Sequence, residues 1–154
     1  MTEQCVFRLE NKEQLKTIQE DFPYVVKAFL SDNCAHCDGL KPELESQCQQ
    51  TDGLMPFKVV PTLHCPVEEP FCKEELVGLL IEDYKKQNGV TGKLSKKQLK
   101  KLQIGVPVVF GQASTGEIHF SVHGNSPSLL DQNYSAIRET IERTKEKWVK
   151  ESGR

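Results

Sequence analysis

The run YVVKAFLSDNCAHCDGLKP, residues 24–42, constrains this chain more than any other part of it. Residues 24–30 form the near-continuous apolar stretch expected of a parallel strand covered on both faces. That stretch leads directly into Cys34 and Cys37, two thiols three positions apart, with Pro42 five residues further on. Cys37, Leu40, Leu44 and Cys48 recur at spacings of three and four, so the segment after the strand reads as a helix with these residues on one face and a kink at Pro42. A cysteine pair where a buried strand turns into a helix is open to three readings: a redox dithiol, half of a metal site, or two unrelated thiols.

The rest of the chain alternates the same two periods. CVFRL (5–9) reads as a short first strand. Asn11 caps a helix striped by Leu15, Ile18 and Phe22, with Gln14 reaching back and Pro23 as the stop. FKVVPTLHC (57–65) is a third strand, although Pro61 cannot donate to a ladder. Pro70 opens a helix that places Leu76, Leu80 and Tyr84 on one side before NGVTG breaks it. LSKKQLKKL is a short lysine-rich helix. GVPVVFG and the alternating Ile118, Phe120 and Val122 form an antiparallel hairpin about STGE. Leu130, Tyr134, Ile137, Ile141 and Trp148 stripe a long last helix.

Composition narrows the function classes. At 154 residues the chain suits one domain, 1–154, able to bury its own core. Net charge −2 argues against a nucleic-acid binder driven by bulk positive charge. Lys93, Lys96, Lys97, Lys100 and Lys101 are read as a solvated helix face, since no aromatics interleave them. No basic n-region precedes an apolar run, and no stretch of about 18 apolar residues occurs, so no membrane partner and a cytoplasmic protein are expected. In that compartment six cysteines are better read as thiols, a redox pair or ligands than as a disulfide scaffold.

The β-α-β-α-β-α-ββ-α order with CxxC ending the second strand resembles the thioredoxin family. The landmarks are Cys34 and Cys37 as the redox pair, Pro42 as the helix-kinking proline, Val106 and Pro107 as the loop with a cis bond facing that pair, and Gly124 after the last strand. The resemblance implies an α/β three-layer sandwich: a central mixed sheet, helices on both faces, and an extra helix and loop inserted at roughly 66–95 before the hairpin. It also implies a dithiol–disulfide oxidoreductase working without a cofactor, as a monomer, on protein disulfides and with a recycling reductase or oxidant. Two departures stand out: Asn33 occupies the place of the family's tryptophan, and Ala28 that of its buried acid.

The chemistry follows from position. Cys34 at the helix N-terminus meets unpaired N–H groups and the positive dipole end, which makes it the nucleophile. Cys37, one turn in, is the resolving thiol. His36 between them would favour the Cys34 thiolate when cationic, as in family members with histidine here, the disulfide isomerases and periplasmic oxidases, while Asp32 and Asp38 oppose it. Val106, Pro107 and Gly124 are the implied substrate-binding positions, Val106 pairing its backbone with an extended segment. Cys5 and Cys48 are read as buried apolar thiols, and Cys65 and Cys72 as inert thiols or a second disulfide. Lys27 is expected to bury its stem and send its head to water. His64, His119 and His123 read as surface or strand residues. Two other functions compete: a zinc site built from Cys34, Cys37 and two of His64, Cys65 and Cys72, and an adaptor with a vestigial pair.

Overall fold

Strand β2 (Tyr24–Leu30) lies at the centre of the sheet, buried from Val25 to Leu30, as its unbroken apolar run requires. The computed structural model describes residues 5–52, 60–102 and 105–152. Around β2 stand β1 (Phe7–Arg8), β3 (Thr62–Pro66), β4 (Val108–Ala113) and β5 (Ile118–His123), in the spatial order β1-β3-β2-β4-β5. The first three strands are mutually parallel, while β4 runs antiparallel to both β2 and β5, giving an open mixed sheet.

Alternation along β2 sorts the two faces. Val25 and Phe29 pack with Leu15 of α1 (Lys12–Asp21) and with Leu76, Leu79 and Leu80 of α3 (Pro70–Asn88). Val26, Ala28 and Leu30 face Cys37, Leu40 and Leu44 of α2 (Ala35–Asp52) and Leu130 and Tyr134 of α5 (Pro127–Ser152). The result is the three-layer α/β sandwich expected. Asn11 Oδ1 accepts from Gln14 N–H at 2.9 Å, and Gln14 Oε1 accepts from Glu10 N–H at 2.8 Å, so the first helix starts where its cap predicts. Gly89 ends α3 at φ 62°, the left-handed region that suits glycine.

Several expectations are corrected. Within the expected insertion, α3 carries buried Cys72, Leu76, Leu79 and Leu80 and covers a sheet face with α1. The short α4 (Lys96–Lys101) buries no residue. Pro61 precedes β3 rather than interrupting it and offers its carbonyl to Val26 N–H at 3.0 Å. Residues 57–59 of that expected strand, and the side chains of Ile141 and Trp148, lie outside what is described. The first strand is shorter than CVFRL suggests, because Cys5 and Val6 donate their N–H groups to the Glu45 carboxylate of α2.

Lys27 is the largest departure. Its head does not reach water; the side chain is fully buried, and Nζ donates to Glu75 Oε1 at 2.7 Å and Gln112 Oε1 at 2.6 Å. Alternation puts Lys27 on the α3 side of the sheet with Val25 and Phe29, where it meets Glu75 of α3. The two partners should respond unequally to mutation, because Glu75 keeps 30% of its side chain exposed and Lys27 none. Glu75→Ala strands a buried ammonium and is expected to cost about 2–4 kcal/mol, whereas Lys27→Met leaves a carboxylate able to reach water and costs less than half as much. Urea unfolding of the two variants measures the difference.

Candidate active site

The last residues of β2 deliver the chain to the N-terminus of α2, and the site is built at that junction. Cys34 immediately precedes α2; its carbonyl accepts the first helical bond, from Asp38 N–H at 3.0 Å. Its Sγ accepts from Cys37 N–H at 3.2 Å, so the sulfur caps the helix as a serine or aspartate oxygen would. Cys34 is partly exposed. An N–H donor and the positive end of the helix dipole therefore face the less buried thiol of the pair.

Cys37 is fully buried beneath it. Ser31 N–H donates to its Sγ at 3.4 Å. Burial, reinforced by the hydrogen bond to Cys34, pushes the Cys37 thiol up to about 11. Opposite the pair, Cys34 Sγ lies 3.9 Å from the carbonyl oxygen of Val106, and the Val106–Pro107 peptide bond is cis. Gly124, at φ 81°, donates its N–H to Pro107 O at 2.8 Å and fastens that loop to the end of β5. Cys34, Cys37, Val106, Pro107 and Gly124 are thus brought together from three parts of the chain, with His36 exposed on the solvent side.

The acids that sequence sets against the Cys34 thiolate both have cationic partners. Arg8 grips Asp32 with two hydrogen bonds, 3.1 and 3.0 Å, and this contact holds the Asp32 carboxyl below its usual range. Asp38 is paired with Lys41 at 3.2 Å. Glu68, which carried no signal as an isolated acid in a loop, accepts from Ser31 Oγ at 2.8 Å and from Asp32 N–H at 2.6 Å. These bonds hold its carboxyl low and fix the loop whose Ser31 N–H contacts Cys37.

The remaining cysteines are arranged otherwise than their spacing suggests. A disulfide joins Cys5 to Cys48, the two residues read as buried apolar thiols. Glu45, one turn before Cys48, binds the backbone of Cys5 and Val6 and lays that segment along α2. Disulfide connectivity is a tertiary property, and the spacing of the cysteines carries no trace of it. Cys65 and Cys72 are free and fully buried. Burial pushes the Cys65 thiol up, and the hydrogen bond with Cys72 adds to it. This pair lies on the α1 and α3 side of the sheet, across from Cys37, so it cannot complete a zinc site with the active-helix cysteines. Among the described residues no three His, Cys, Asp or Glu side chains converge on a metal position. His119 and His123 are exposed, and His64 is a half-buried strand residue.

No family model and no curated protein sequence matches the chain. Solved structures do. The thioredoxin of Malassezia sympodialis superposes with a TM-score of 0.56 at 16% identity, over 90% of this chain and 95% of that one. Oxidised thioredoxin of Plasmodium falciparum gives 0.54 at 14% identity, over 86% and 98%. Mitochondrial thioredoxin 3 of Saccharomyces cerevisiae gives 0.52 at 17%, over 85% and 94%. The chain has the thioredoxin fold. At such identities the likeness is one of architecture, and the chemistry must be argued from the residues at the site.

The contrast between the two sulfurs predicts a labelling order. At pH 8 a thiol raised from 9.0 to about 11 holds about a hundredfold less thiolate, and Cys37 is also out of contact with solvent. Brief treatment of the reduced protein with iodoacetamide should alkylate Cys34 and spare Cys37, as peptide mass mapping would show.

Proposed function

We propose that the protein is a dithiol–disulfide oxidoreductase acting on protein disulfides. The observation that carries this reading is the N-cap position of Cys34: a partly exposed residue whose sulfur accepts the Cys37 N–H at 3.2 Å and faces the Val106 carbonyl at 3.9 Å. Cys34 attacks one sulfur of the substrate disulfide, forming a mixed disulfide and releasing the first substrate thiolate. Cys37 loses its proton and attacks Cys34 Sγ; the second substrate thiolate leaves, and the Cys34–Cys37 disulfide remains. The substrate is reduced by two electrons, the pair is oxidised by two, and a separate dithiol or disulfide protein resets the pair.

In this reading the backbone of Val106, held by Pro107 and Gly124, lies beside an extended substrate segment, so recognition is mostly main-chain. His36 tunes the pair from its exposed side. The direction of net transfer is set by the potential of the couple against that of its partner. No helix among the described residues is long and apolar enough to cross a membrane, and we read the chain as a cytoplasmic monomer of one domain.

Trapping tests the assignment. Cys37→Ser should accumulate mixed disulfides with protein substrates and stall, whereas Cys34→Ser should trap nothing and lose dithiol-dependent insulin reduction by at least about a thousandfold. Equal trapping by both variants would overturn the roles. Turnover absent in the wild-type protein with both thiols free would favour an adaptor.

A further inference from the structure

Two thiols take no part in that exchange. Cys65 lies on β3, and Cys72 lies in the first turn of α3, on the sheet face away from Cys37. Both are free and fully buried, and their sulfurs share a hydrogen bond. Two backbone turns fold the start of α3 back onto the end of β3: Glu69 N–H donates to Pro66 O at 3.0 Å, and Cys72 N–H donates to Glu69 O at 3.1 Å. The geometry of a disulfide is narrow, so one forms readily only where the backbone already brings two sulfurs together. Here the fold has done so.

The neighbours of the pair are charged. Glu75 follows Cys72 by three residues on α3, and Lys27 shares a sheet face with Phe29, the register partner of Cys65. The Lys27 ammonium favours a thiolate at Cys65 and the Glu75 carboxylate opposes it, but burial and the bond with Cys72 outweigh both and keep Cys65 protonated. In that bond the Cys65 S–H therefore donates and Cys72 Sγ accepts. Cys72 is left as the sulfur able to attack first. A protein disulfide cannot reach sulfurs with no exposed surface, so an oxidant of this pair has to be small.

We infer that Cys65 and Cys72 are a second dithiol–disulfide couple, oxidised by hydrogen peroxide independently of Cys34 and Cys37. Cys72 loses its proton and attacks one peroxide oxygen; the O–O bond breaks, Cys72 becomes a sulfenic acid, and the hydroxide released takes up the proton as water. Cys65 then attacks Cys72 Sγ, the S–O bond breaks, and a second water leaves with the Cys65 proton. The pair is oxidised by two electrons and one peroxide is reduced to two waters. Peroxide enters when the first turn of α3 opens, a turn that Glu69 caps with no side-chain hydrogen bond. The turn between the thiols also carries Glu68, whose carboxylate holds Ser31 Oγ and Asp32 N–H. The new bond thus closes a ring around the acid that fastens the active-site loop.

The test treats the native full-length protein, its free thiols reduced, with hydrogen peroxide, blocks remaining thiols with N-ethylmaleimide and maps tryptic peptides. Residues 59–73 form one such peptide, which holds Cys65 and Cys72 and no other cysteine. It should lose two hydrogens and both maleimide sites, and dithiothreitol should restore them. The double variant Cys34→Ser, Cys37→Ser should give the same result. Dimedone should capture a sulfenic acid at Cys72 in Cys65→Ala and none at Cys65 in Cys72→Ala. A wild-type peptide that keeps both thiols after Cys34 and Cys37 are oxidised, or that gains oxygen without forming the bond, would overturn the couple, and this readout decides alone if a variant fails to fold. Oxidation lost in the double variant would overturn its independence, and capture at Cys65 in place of Cys72 would overturn the order of steps.

Discussion

Burial of β2 on both faces is the constraint from which the architecture follows. A strand hydrogen-bonded on both sides and apolar above and below is stable only if helices cover both of its faces. Residues Val25 and Phe29 call for α1 and α3, and Val26, Ala28 and Leu30 for α2 and α5. Because α2 must begin as soon as β2 ends in order to cover its own strand, Cys34 falls at the helix N-terminus. Its reach toward Val106 depends in turn on β4 lying antiparallel beside β2, which brings the start of β4 to the same end of the sheet.

Charge is managed around this junction rather than within it. Each acid near the pair is held by a neighbour: Asp32 by Arg8, Asp38 by Lys41, and Glu68 by the hydroxyl and backbone of residues 31 and 32. Asp32 and Arg8 remain about half exposed, so their pair contributes orientation more than stability. The loop from Ser31 to Asn33 is accordingly fastened from β1 on one side and from the β3–α3 turn on the other. That supplies the fixed backbone from which Ser31 N–H meets Cys37.

What could be read in the sequence was whatever is encoded locally. The cap at Asn11, the start of α3 at Pro70, the hairpin about STGE and the placement of the cysteine pair each depend on residues a few positions apart, and each lies where its signal puts it. What could not be read depends on partners far along the chain. Lys27 gives no sign that Glu75, 48 positions later, will meet it in the core. Cys5 and Cys48 look like any two apolar thiols until Glu45 draws the N-terminal segment onto α2. The burial of residues 70–88 is hidden for a related reason. Their length reads as surplus along the chain, while their burial belongs to the sheet face they cover.

The Cys5–Cys48 bond constrains the segment that carries the Cys34–Cys37 pair. It closes a loop of 43 residues that holds β1, α1, β2 and the active-site junction, and closure of that length restricts the unfolded chain by about 4 kcal/mol in the entropic view. The half of the chain that carries the Cys34–Cys37 pair is thus held by a disulfide attached to the same helix. Reductants weak enough to spare that bond leave the scaffold of the pair intact, and stronger ones loosen the frame that gives Cys34 its position.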